Sequence, residues 1–266
     1  MENNTNRKIK IAIILAGQLR NWDLCRSIFN LYNEIDKNIQ YDFFLATWHD
    51  NNFNDSLDLS IFNSYEIISE QAIKNLRQDY RKYPFLLKRV NEIKNLYQIE
   101  RDIKYDCVVS TRPDIFLGLD LLLNINKLIL NTYSDQITPN TLYSFDGISE
   151  KINKQKDPDI PEYFFTMQDF FILGHQNAID IHAGLYDDMY KNYSQKNYGV
   201  HITPAMHLIN KKINVKKLEG FVKIIRSSHK NFFIDLLKTN ELKKLYTYSK
   251  NFKLDTNFIK NFNKLS

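Results

Sequence analysis

Two apolar runs near the amino terminus, Lys8–Ala16 and Tyr41–Trp48, are too short to cross a membrane and too uniformly apolar for surface strands. Gly17-Gln18-Leu19-Arg20 closes the first run, and Asn21 or Asp23 can cap a helix after it. Cys25, Ile28, Phe29, Tyr32 and Ile35 then recur at helical spacing. Strand, glycine turn, helix, strand is the repeating unit of an open parallel sheet, which needs helices on both faces. The chain has the means: 43% of its 266 residues are hydrophobic and 25% charged, enough for one large core. The reading is an α/β fold, a mostly parallel Rossmann-like central sheet flanked by helices, over residues 1–228. Residues 229–266 form a basic amphipathic helical extension.

Beyond Trp48 the same grammar continues. Glu66–Ile68 reads as a short strand, and Ser69 caps a helix to about Arg81 that Pro84 interrupts. Phe85–Ile103 is strongly helical, and Tyr105–Ser110 is a further buried strand with Thr111–Asp114 at its carboxyl end. Leu119–Leu130 suits a helix, Phe170–Gly174 a strand, Gln176–Lys191 and Pro204–Lys211 two helices, and Val215–Val222 an extended segment. Asp146–Pro161 is polar and turn-rich and reads as a surface loop or lid.

Several function classes are excluded. There is no G-x-G-x-x-G, P-loop, G-x-S-x-G or HExxH, and the six histidines have no compact ligand spacing. Two cysteines, each within an apolar pattern, give neither a disulfide framework nor a zinc module, and suit a reducing, cytoplasmic setting. The net charge of +5 resides in the tail, where Lys230–Ser266 carries eight lysines against three acids. The rest is balanced, so no nucleic-acid partner is expected. The tail could rest on an anionic membrane surface at the inner face, or pack on the domain with its lysines solvated.

Three places can carry chemistry. Gly17 lets the backbone approach a ligand, a helix start favours anions, and Arg20 adds a cation suited to phosphate. Arg112 and Asp114 follow a central strand, where open α/β sheets put their ligands. Asp114 could ligate a divalent Mn or Mg ion shared with diphosphate oxygens, and Arg112 could pair with phosphate or orient Asp114. Asp169, heading a short apolar strand, suits a general base whose pKa burial would raise. A literal Asp-x-Asp, Asp157-Pro158-Asp159, has no strand to hold it and reads as a solvated turn.

In order, the segments IAIILAGQLRNW, YDFFLATW, YDCVVSTRPDIFL and QDFFILGHQNAID resemble a family of bacterial and viral glycosyltransferase-like proteins. The resemblance runs from Ile9 to about Arg226 and is most specific at Gly17-Gln18-x-Arg20 and Arg112-Pro113-Asp114. It implies a GT-A fold and transfer from a nucleotide-sugar donor to a carbohydrate or lipid-linked glycan acceptor of lipopolysaccharide or capsule synthesis. It implies that Gly17, Gln18 and Arg20 hold the nucleotide, with Thr47 and Trp48 on the base or ribose side. Thr111-Arg112-Pro113-Asp114 takes the place of the family's Asp-x-Asp element, and Asp169 stands near the acceptor. This chain departs from the pattern twice. Thr or Arg replaces the first Asp of that element, so Arg112 could supply the charge a metal otherwise brings. His201-Ile202-Thr203-Pro204 stands where a Glu is common. Two alternatives stay open: a non-catalytic module binding carbohydrate or a partner, and a nucleotidyltransferase, whose Gly-rich loop with Lys is missing.

Overall fold

The computed structural model describes residues 8–20, 22, 25–26, 29–30, 36–49, 53, 56–69, 82–131, 138–190, 198–220, 222–224 and 244. Residues 70–81 of the helix expected after Ser69, and nearly all of the carboxyl-terminal extension, lie outside them. Of the extension, Lys244 is described; its Nζ lies 2.7 Å from an Asp120 carboxylate oxygen.

The strands are β1 (Ile9–Ala16), β2 (Ile39–His49), β3 (Ser64–Ser69), β4 (Cys107–Thr111) and β5 (Ile115–Leu117). Then come β6 (Thr141–Ser144), β7 (Ser149–Ile152), β8 (Tyr163–Thr166), β9 (Phe171–Gly174), β10 (Asn214–Lys217) and β11 (Val222–Ile224). Among the described residues the α-helices are α1 (Lys82–Arg101), α2 (Leu119–Asn131), α3 (Gln176–Ala183) and α4 (Ile202–Asn210). Trp22, Cys25, Arg26, Phe29 and Asn30 are helical as well, in the place of the expected first crossover.

Seven strands form the main sheet in the order β10-β6-β9-β4-β1-β2-β3. All neighbours run parallel except β9, which is antiparallel to both β4 and β6. This is the mixed, mostly parallel α/β sheet expected. Its two faces are both buried, for the reason the sequence suggested: each central strand is apolar at almost every position. Ile11, Ile13, Leu15, Phe43 and Leu45 meet Trp22, Cys25, Phe29 and the α2 residues Leu121, Leu122 and Ile125. Ala12, Ile14, Phe44 and Trp48 meet α1 through Leu86, Leu87 and Val90, α3 through Ile179, and α4 through Leu208. Fully burying side chains of this size stabilises by about 1.5–3 kcal/mol each, before the entropy cost of ordering them.

Pro84 is the third described residue of α1, and the residues just before Lys82 lie outside the described ones. Two expectations need correction. The polar stretch Asp146–Pro161 is no plain loop, because β7 pairs with β8 as an exposed antiparallel hairpin. The helix beginning at Gln176 ends at Ala183, and a π-helical turn at Tyr186–Tyr190 replaces its second half. Among the described residues no helix is long and apolar enough to cross a membrane.

Candidate functional site

The strand order reverses beside β1. From β1 the chain steps outward through β2 to β3, and then β4 returns to the other side of β1. Such a switch point leaves a crevice at the carboxyl ends of the two strands, because the loops after them diverge. Those ends are Gly17-Gln18-Leu19-Arg20 and Thr111-Arg112-Pro113-Asp114. They touch: a Cβ built on Gly17 would lie 3.2 Å from Pro113 Cδ. Gly17 has φ +141°, a region that side chains rarely adopt, and donates its N–H to the Ala46 carbonyl at 3.2 Å. Gln18 and Arg20 are partly exposed on the same turn.

The Arg112 guanidinium grips Asp114 with two parallel bonds, Nε and Nη2 each donating to a carboxylate oxygen at 2.7 Å. Asp114 is fully buried, whereas the Arg112 side chain keeps 20% of its surface. Three of the five guanidinium N–H donors have no partner among the described residues. The pair is therefore asymmetric. Both Asp114 oxygens are engaged by the guanidinium, and the Arg112 side chain stays partly exposed.

That arrangement gives no support to the reading of Asp114 as a catalytic carboxylate and metal ligand. A divalent ion needs exposed oxygen ligands, and both of these oxygens lie beneath the surface engaged by a cation. Nor do the described residues gather three His, Cys, Asp or Glu side chains where an ion could sit. The residues present do not fit Mn or Mg at Asp114.

Asp169 reaches the same edge because β9 runs antiparallel. In a parallel strand its position, before the first residue, would fall at the opposite end of the sheet. Here the start of β9 lies at the end of β4, with Phe171 opposite Thr111. The buried Thr111 hydroxyl donates to the Phe170 carbonyl at 3.0 Å, clasping the two strands. Tyr83, entering from α1, donates its hydroxyl to the Asp169 carbonyl at 3.0 Å. Asp169 keeps an opening to solvent, yet neighbouring atoms crowd its carboxyl. Burial raises its pKa to about 6, against the pull of His201 and Arg112, whose positive charges favour the ion. Burial is also the chief cause of the Tyr83 phenol being raised far above its usual range, so it stays a donor at neutral pH.

Thr47 and Trp48 part company. Thr47 is fully buried beside the Gly17 turn, its hydroxyl without a partner among the described residues. Trp48 lies on the opposite face of β2, buried, and stacks on Phe85 at 5.8 Å between ring centroids and 12° between planes. Its indole is a core side chain and cannot close over a base without unstacking. The Asp157-Pro158-Asp159 stretch is the turn expected: Asp157 accepts the Asp159 N–H at 3.0 Å, and both are exposed.

Next to Asp169 opens a cleft of about 580 Å³. The connector Met167-Gln168, the hairpin residues Ser149, Lys151 and Thr166, and His201 at the α4 start line it with Asp146 and Lys217. Sequence reasoning missed Tyr83, Lys151 and Lys217. No local signal marks them, since each joins the site through tertiary pairing alone.

No protein-family model matches the chain, and no curated protein matches it in sequence. Among solved structures it is similar to the galactosyltransferase LgtC bound to donor and acceptor sugar analogues. The two share 9% identity over 79% of this chain and 73% of that one, with a TM-score of 0.39. It is also similar to a glycosyltransferase involved in glycosylation of the major capsid of PBCV-1. Identity there is 8%, over 87% of this chain and 99% of that one, with a TM-score of 0.41.

Proposed function

We propose that this chain is a GT-A-like glycosyltransferase that moves a sugar from a nucleotide-sugar donor to a glycan acceptor of the surface-polysaccharide or lipopolysaccharide kind. The observation that carries the reading is the placing of Asp169. A recessed carboxyl stands within electrostatic reach of the partly exposed Arg112 side chain, between the β1/β4 switch point and a polar cleft.

The roles follow from charge. The donor's diphosphate lies at the switch point, where the Gly17 turn, Arg20 and the remaining Arg112 donors meet its negative charge. As the sugar's anomeric carbon leaves the diphosphate, charge builds on the departing oxygen, and the guanidinium held by Asp114 is already aimed. The acceptor hydroxyl gives its proton to Asp169 while its oxygen bonds to that carbon. Tyr83 and the Thr111 clasp hold the backbone carbonyls of the base and of the residue after it, so its position costs no reorganisation. No step is routed through a metal.

The test is a thermal-shift screen of UDP-, GDP-, CMP- and dTDP-sugars, then release of free sugar from the stabilising donor. One nucleotide class should raise the melting temperature by several degrees, and Arg112→Lys should remove most of that rise. Stabilisation by none of them would overturn the reading and leave a non-catalytic binding module.

A further inference from the structure

The cleft beside Asp169 has a chemical character of its own. Met167 is its sole apolar lining residue; the others carry hydroxyl, amide, imidazole, ammonium or carboxylate groups. A lining so rich in hydrogen-bonding groups suits a hydroxylated ligand, and its volume falls within the range of small-ligand sites. Its charge is not balanced. Among the lining residues two ammonium groups, Lys151 and Lys217, stand against the single carboxylate of Asp146.

Both lysines are held on strands. Lys217 ends β10 in register with Ser144 of β6, and the next residue, Leu218, donates its N–H to the Ser144 carbonyl at 2.8 Å. Gly147, at φ +65°, packs against the Lys217 backbone, and its own N–H is taken by the Ser144 hydroxyl at 2.9 Å. Lys151 lies mid-strand in β7, opposite Phe164 of β8. The competing partner of Lys217 is Glu219, at 3.2 Å, but both side chains are more than half exposed and such a pair exchanges readily. Positively charged groups on ordered backbone, facing a polar cavity, select for negative charge in the ligand.

We infer that this cleft binds an acidic sugar, a hydroxylated ring bearing a carboxylate or a phosphate, with Lys151 and Lys217 as the specificity-determining residues. The inference rests on the proposed function in one respect, that the acidic sugar is the acceptor whose hydroxyl faces Asp169. The charge preference itself stands on the cleft.

The experiment measures binding of glucuronic acid, glucose 6-phosphate and glucose to the full chain by saturation-transfer NMR and calorimetry, in the wild type and in Lys151→Gln/Lys217→Gln. Both lysines are at the surface, so the double variant is expected to fold; the single variants serve if it does not. The wild type should bind at least one of the acidic sugars about tenfold more tightly than glucose, and the double variant should lose that preference. The stronger acidic ligand identifies the group as carboxylate or phosphate. Equal binding of all three by the wild type, or a preference that survives in the double variant, overturns the inference. Nucleotide-sugar stabilisation of the wild type reads the proposed function separately. If it fails while the acidic preference holds, the transfer reading falls and the cleft assignment remains. If it succeeds while the preference is missing, the reverse is true.

Discussion

The two halves of the sheet's carboxyl edge are built on opposite plans. At β1 and β4 the groups are packed and paired: Gly17 against Pro113, and Arg112 doubly bound to a carboxylate with no exposed surface. At β6, β9 and β10 the edge opens into a cleft walled by an exposed hairpin, its lysines paired weakly or left to solvent. A rigid half suits a ligand portion shared by many donors, a diphosphate whose charge must be met at a fixed point. An open half with adjustable side chains suits the portion that varies. Asp169 stands between the two, so each half can be perturbed on its own.

The largest effect is expected from Arg112→Ala. It leaves Asp114 buried and unpaired, a defect that costs about 3–5 kcal/mol, and it removes the guanidinium. Denaturant unfolding should show that loss, and sugar transfer should fall by roughly 10³-fold. Arg112→Ala combined with Asp114→Asn should recover part of the stability and none of the transfer. Unfolding of Arg112→Ala at the wild-type midpoint would mean that the pair is not the anchor of the rigid half.

Asp169→Asn separates function from stability in the opposite sense. Turnover should fall by about 10²–10⁴-fold with donor affinity nearly unchanged. An unfolded Asp ionises near 3.8, whereas Asp169 in the fold does so at about 6. The folded protein therefore loses stability as pH rises through that window, and stays penalised above it. Asn removes the penalty, so at about pH 7.5 the variant should be more stable by roughly 1–2 kcal/mol, allowing for the carboxyl's open side. Near pH 3.5 the gain should vanish, because both states then bind the proton. A variant less stable than wild type at neutral pH would show that the carboxyl is not in the crowded recess.

The same shift sets the pH profile of the wild type. A base must be ionised, so kcat/KM should rise through about pH 6 and level off above it. His201 lowers the Asp169 pKa, so His201→Gln should move this limb upward by a fraction of a unit. A limb unmoved would place His201 outside the site's field.

Much of the rigid half is legible in the sequence, and little of the open half is. β1, β2 and β4 announce themselves because strands covered on both faces are apolar at nearly every position, and Gly17 marks the turn between them. The alternation of β2 also holds the answer to Trp48. It shares a face with Phe44 and Ala46, under the helix that carries Leu86 and Leu87, and this parity outweighs the chemistry an aromatic at a strand end suggests. Asp114 suggests a metal because spacing alone does not tell a ligand from a partner. The hairpin β7–β8 looks like a loop because exposed strands such as Ser149–Ile152 lack an apolar run. The direction of β9, which brings Asp169 to the edge, depends on pairing of Thr111 with Phe171 and of Ser144 with Ile172, residues far apart in the chain. No local pattern encodes it.

The smallest effect expected is at Gly17, and it tests how rigid the rigid half is. Gly17→Ala places a methyl 3.2 Å from Pro113 Cδ at φ +141°, so both backbone strain and crowding act against it. Pro113 can give by a few tenths of an ångström, which holds the cost to roughly 1–2 kcal/mol. The displacement is directed, however. It pushes the Arg112-Pro113-Asp114 turn away from β1, toward the side where the donor's diphosphate is proposed to lie. The apparent donor affinity should then drop several-fold more than the acceptor affinity, since the cleft at β6 and β10 shares no atom with this contact. Equal losses for both ligands would mean that the two halves of the edge move as one body, and that the division between a fixed donor side and an adaptable acceptor side is wrong.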